Sequence, residues 1–163
     1  MSRLGRLIGI AVIGLGIAAM AMGVAFVVEG QSKANYIKEQ MRAEQVTTAI
    51  LGIEGADPNN LIDSAAEAEK VANKVKEHRL RIAPTYSDLM ALSPSGKYDP
   101  AIPEHLKYSQ AMNLENYLYL GVASLGLTTV TIVSGIFMMV TGLGLSLIGF
   151  AVQRLAKRLP ATA

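Results

Sequence analysis

The residues here with the widest chemical repertoire are two histidines, His78 in "KEHR" and His105 in "PEHL". An imidazole can ligate a metal or move a proton near neutral pH. Neither histidine has a second ligand three or four residues away, the spacing by which an HExxH helix closes a zinc site. Both are expected to be solvated side chains at helix ends. "SGKY", Ser95 to Tyr98, ends as a phosphate-binding loop ends. It lacks the upstream glycine and the following Ser or Thr, and a Pro-flanked surface turn is expected instead. The carboxylates of "DSAAEAEKVANKVKE" alternate with lysines as on a solvated helix face, with no spacing that isolates an acid–base pair. The chain has no cysteine, which removes disulfides, thiolate metal sites and thiol nucleophiles. The expectation is therefore no enzyme: no catalytic residue, no metal site, no cofactor and no cofactor-binding residue.

What must position any site is dominated by apolar helix. Of 163 residues 51% are hydrophobic, and they concentrate in two uncharged blocks, Leu7 to Val28 and Leu118 to Val152. Each exceeds the 18 or so consecutive apolar residues that mark a membrane-spanning helix. Neither contains an ionisable side chain, the usual marker of an ion or proton pathway. Thr128, Thr131, Ser134, Thr141 and Ser146 are expected to bond to neighbouring helices or to their own backbone rather than to line a pore.

Charge is segregated along the chain. All 13 acidic residues lie between Glu29 and Glu115, whereas the five basic residues outside that range are Arg3, Arg6, Arg154, Lys157 and Arg158. Short basic flanks stay on the cytoplasmic side, and long loops cross largely regardless of charge. Both ends are thus expected inside, with the basic residues at the lipid surface, and residues 29–117 outside. The expected location is a cytoplasmic membrane of bacterial or archaeal type. A cleaved signal peptide cut near "AMA", Ala19 to Ala21, is the competing possibility. The apolar run continues past that point through "MGVAFVV", which favours an uncleaved anchor.

Glycine spacing supplies a second pattern. Gly9, Gly16, Gly23 and Gly30 fall seven residues apart, and so do Gly121, Thr128, Gly135, Gly142 and Gly149. A seven-residue repeat keeps one stripe of a helix turned to a partner. Small residues let backbones approach closely in lipid, where packing drives association. The stripes are expected to pack helices, either between copies or against each other within one chain. A turn inside Leu118 to Val152 would have no reason to preserve this register, so one continuous helix is expected there. At 1.5 Å per residue it would be about 52 Å long, against a hydrocarbon core of about 30 Å. Its inner part, about 132–152, is then the membrane span, and the apolar outer part requires a cover from loop helices or other copies.

The polar middle reads as helical. The first helix is expected to continue to about Ile53, with "GADPNN" as a turn capped at Asp57 or Asn59-Asn60. A second helix is expected from Leu61 to about Ile82. Its seam is Leu61, Ala65, Ala68, Ala72, Val75, Arg79 and Ile82, narrow and suited to close pairing. A short helix capped at Thr85 or Ser87 follows, and Pro103 is placed to open the last helix.

The fold class expected is an all-α integral membrane protein. It has a cytoplasmic N-terminus (1–6), a transmembrane helix (7–28), an extracytoplasmic helical segment (29–117), the long helix (118–152) and a basic cytoplasmic tail (153–163). The expected role is a structural or accessory membrane subunit, in contact with membrane lipid and not with nucleic acid. It would self-associate or join a larger membrane complex through Gly9, Gly16, Gly23, Gly121, Thr128, Gly135, Gly142 and Gly149, with Ala65, Ala68 and Ala72. The alternatives are an extracytoplasmic ligand-binding or sensory module acting through a partner, and an oligomeric pore.

Overall fold

The structure, a computed structural model, describes residues 2–45, 47 and 61–158. Most of these residues are helical, and none of those described lies in a strand. In chain order they form α1 (Ser2–Ala43), α2 (Ala65–Ile82), α3 (Tyr86–Ala91) and α4 (Pro103–Arg158). One isolated antiparallel bridge joins Thr47 to Leu61. Both α1 and α4 are long and apolar enough to cross a membrane. The chain divides into two compact units: Met1–Lys33 with Thr128–Ala163, and Ala34–Leu127.

The first unit pairs the start of α1 with the end of α4. Its buried positions among the described residues are Gly9, Gly16, Gly23 and Gly30 on α1, and Thr128, Gly135, Gly142, Gly149 and Ala156 on α4. Large apolar side chains occupy the exterior, among them Leu15, Val28, Phe137 and Leu147, each more than half exposed.

The second unit has an ordinary core. Met41, Ile62, Ala68, Val71, Ala72, Val75, Leu118 and Leu125 are buried together, with Ile37, Ala65, Leu114 and Val122 packed around them. The apolar stretch of α4 around Leu118 and Leu125 is thus covered by α1 and α2 of the same chain. A smaller cluster joins Ala83, Leu89 and Tyr108.

Helix ends follow local chemistry, and two differ from expectation. α1 stops at Ala43 rather than near Ile53: the Gln45 N–H bonds to the Arg42 carbonyl, and Gln45 takes φ 51°. The proposed turn and its caps, residues 55–60, lie outside the described residues. α2 begins at Ala65 rather than Leu61, because Ser64 caps it by accepting from the Glu67 N–H while Leu61 is taken up by the bridge. α3 is closed at its start by a Thr85–Asp88 capping box. Pro103 stands at the first position of α4, where its missing N–H costs no hydrogen bond. From there α4 runs without interruption to Arg158.

Candidate functional site

The glycine rows of the first unit face each other. Each step of seven forward along α1 is matched by a step of seven back along α4, pairing Gly9 with Gly149, Gly16 with Gly142, Gly23 with Gly135 and Gly30 with Thr128. The contact brings backbone to backbone, with side chains of the facing helix, Ile13, Met20, Met139 and Gln153 among them, packed over the glycines. A methyl group added at Gly16 would lie 2.5 Å from the Gly142 carbonyl oxygen, and one at Gly142 would lie 2.5 Å from that of Gly16. The Gly23–Gly135 pair is equally reciprocal, at 2.6 Å in both directions. Real Cβ atoms do not come so close, so only glycine fits these positions. Such approach puts many backbone atoms in van der Waals range and turns each Cα–H toward a carbonyl, a weak hydrogen bond. At Gly30 the added atom would stand 3.3 Å from the Thr128 carbonyl, a wider backbone approach where threonine replaces glycine, although the Ile132 side chain lies 2.7 Å away. Gly14, Gly126 and Gly144, off the rows, have nothing within 4 Å.

The rows extend beyond the glycines singled out in the sequence. Ala156 is buried seven residues after Gly149, and its Cβ would be 3.1 Å from a Cβ at Gly5. The signal was the same repeat, carried one step into the basic tail. Ser146 donates its hydroxyl to the Gly142 carbonyl at 2.9 Å, satisfying the hydroxyl on its own helix. Of the basic residues, Arg6, Arg154 and Lys157 are exposed, and the Arg154 guanidinium lies 4.8 Å from the centre of the Phe150 ring. The side chains of Arg3 and Arg158 lie outside what is described.

Gly121 belongs to the second unit, where it faces the Met41 sulfur rather than a glycine. It lines an apolar groove of about 140 Å³ together with Tyr36, Ile37, Gln40, Met41, Tyr117, Leu120 and Ser124. The alanine seam of α2 is buried at Ala68 and Ala72, while Ala65 is partly buried against the core. Val71, fully buried, was not among the seam residues, although it lies one helical turn from both Ala68 and Val75.

Arg79 interrupts the seam, and a carboxylate 36 residues away answers it. Its Nε donates to Glu115 Oε2 at 2.7 Å, and its Nη1 donates to the Tyr108 hydroxyl, with the guanidinium 4.9 Å from the Tyr108 ring centre. Both ionic side chains are largely buried, at 13% and 8% exposure. The hydrogen bond to Glu115 pushes the Arg79 pKa above its ordinary value, against the opposing effect of burial. Tyr119 donates to Asn73 Oδ1 at 2.7 Å, a second polar tie between α2 and α4.

His105 is a correction to the sequence reading. It is fully buried, not solvated. α4 carries it into the loop that follows α3, where both ring nitrogens find backbone partners, the Asp99 N–H at 2.9 Å and the Leu89 carbonyl at 2.7 Å. His78 remains partly exposed on α2. Among the described residues no group of three or more His, Cys, Asp or Glu could hold a metal ion. "SGKY" forms a turn with Gly96 in the left-handed region, φ 64°.

Comparison with protein-family models, curated proteins and solved structures finds no match to this chain.

Proposed function

We propose that this chain is a structural membrane subunit. A two-helix hairpin, α1 with α4, anchors it in a bilayer, and residues 29–117 form a helical segment outside with both termini in the cytoplasm. One observation carries this proposal: among the described residues of the first unit every buried position is a glycine, threonine or alanine, and large apolar side chains such as Leu15, Val28, Phe137 and Leu147 face outward. In water such an exterior would demand a cover. In lipid it is the natural surface, and close packing of small residues is what holds helices together. Because the glycine rows are occupied by each other, self-association or attachment to a larger complex falls to the remaining faces. Non-catalytic work is proposed on the lack of any site built from titratable groups in the sequence.

Topology and assembly are tested together. Alkaline extraction should leave the protein in the membrane fraction. In intact cells an impermeant thiol reagent should label Ser95→Cys and not Ser2→Cys or Thr162→Cys. In mild detergent the particle should exceed the 17.3 kDa of one chain after correction for bound detergent. Extraction by alkali would defeat the anchoring. Labelling at 162 with 95 protected would reverse the orientation. A lone chain without co-purifying protein would remove the assembly role.

A second function, a sensor of apolar ligands acting through a partner, is favoured by the groove over Gly121. It requires saturable binding of a fluorescent fatty acid to the full chain, abolished when Gly121→Leu fills the groove.

A further inference from the structure

We propose that the His105 imidazole is a pH-sensitive latch: neutral, it holds α3 and the turn before α4 against the start of α4, and protonated, it lets them go. The geometry dictates the proton count of the ring. The Asp99 backbone N–H can only donate, and it points at Nδ1 from 2.9 Å. The Leu89 carbonyl can only accept, and it lies 2.7 Å from Nε2. Together they require one ring proton, carried on Nε2 and donated to Leu89. A second proton on Nδ1 would oppose the Asp99 N–H and strand a buried donor.

The surroundings oppose the charge as well. His105 has no exposed surface, and a buried charge without a partner is costly. It is the third residue of α4, at the helix end whose dipole repels cations. No titratable side chain around it bonds to either ring nitrogen, since both are taken by backbone groups. Tyr98 is stacked on the ring at 5.3 Å. The Asp99 carboxylate accepts from the Ala101 N–H at 2.9 Å. On α3, Asp88 is closed in the capping box with Thr85. On α4, Glu104 is exposed, and Tyr108, one turn on, carries over its ring the Arg79 guanidinium, whose charge is already paired with Glu115. The latch is therefore intact while the ring carries one proton, and it is lost when the ring takes up a second. What it secures is specific: α3 through the Leu89 carbonyl, and the 93–102 segment through the Asp99 amide.

The test is hydrogen exchange on the full chain in detergent at pH 7.5 and pH 5.0, corrected for intrinsic exchange. In the unmodified protein, amides of residues 86–92 and 97–101 should lose at least tenfold protection at pH 5.0, while those of α2 hold. His78→Gln should keep this loss, and His105→Gln should abolish the pH dependence. Since His105→Gln could fail to fold, imidazole ¹⁵N resonances of the unmodified protein supply a second readout. His105 should be the Nε2–H tautomer at pH 7.5 and should titrate in step with the exposure of the Asp99 amide. Protection within twofold at the two pH values overturns the latch. So does a loss that survives in a folded His105→Gln protein, a loss removed by His78→Gln, or an Nδ1–H tautomer at pH 7.5.

Discussion

Along α4 the spacing of buried positions changes from one unit to the other. In the second unit the helix buries His105, Tyr108, Glu115, Leu118, Gly121 and Leu125, steps of three, four and seven that make a broad face. In the first it buries Thr128, Gly135, Gly142, Gly149 and Ala156, a single row in steps of seven. A broad face is needed where several elements press on a helix, as α1, α2 and α3 do in the second unit. A single row suffices where one helix meets one partner. The chemistry differs accordingly. The second unit is held by buried side chains and by paired polar groups, the forces of water-soluble proteins. The first is held by glycines that let the backbones touch, with Ile13, Met20, Val27 and Met139 packed over them. One unit should therefore tolerate enlargement poorly and the other truncation poorly.

The largest effect is expected from enlarging the glycine row. Gly16→Leu meets the Gly142 carbonyl and the Ser146 backbone nitrogen, neither of which can rotate away. The hairpin should lose about 4 kcal/mol or more, beyond ordinary overpacking, because backbone must move. Thermal unfolding in detergent reads this out against Gly14→Leu, a site with nothing within 4 Å, which should melt no lower than the parent. Equal melting of the two variants would erase the distinction between the units.

Next comes the polar tie of the second unit. Arg79→Met leaves Glu115 buried without its partner, at a cost of about 3 kcal/mol. Pairing it with Glu115→Leu should recover most of the loss, since two apolar groups replace two charges. Failure of the double variant to recover would mean that Tyr108, which also accepts from Arg79, carries more of the tie than the carboxylate does.

Truncation in the second core is smaller. Val71→Ala, at a fully buried position, should cost about 2 kcal/mol by leaving a cavity among Ala68, Ala72 and Leu118. Smallest, and opposite in sign, is Gly14→Ala: an open site on α1, where alanine should gain about 0.5 kcal/mol by limiting the unfolded chain. The same substitution at Gly142 should be destabilising. A shared sign at Gly14 and Gly142 would show that backbone entropy, not contact, governs both.

Much of this was readable from spacing, because a repeat along a helix records which face is buried. The seven-residue glycine rows, the continuity of α4 and the Pro103 and Thr85 starts are of that kind: each depends on residues within a turn or two of one another. The spacing of α2 marks one row, Ala68, Ala72 and Val75, whereas the core uses two and buries Val71 as well. The end of α1 was misplaced by the lack of any proline, while Gln45 turns the chain by adopting a left-handed backbone that composition does not announce.

Sequence alone determined that this chain is helical, that α1 and α4 are apolar enough to cross a membrane, and which stripe of each carries the smallest residues. It did not determine what those stripes meet. Periodicity names a face but not its partner, and a glycine row suits a neighbour from the same chain or from another. Tertiary structure paired Gly16 with Gly142 and turned Gly121 to Met41 instead. It also brought Glu115 to Arg79 across 36 residues and buried His105 between Asp99 and Leu89. Those contacts depend on where whole helices come to rest. A side chain's exposure and protonation are properties of that arrangement, not of its neighbours in sequence.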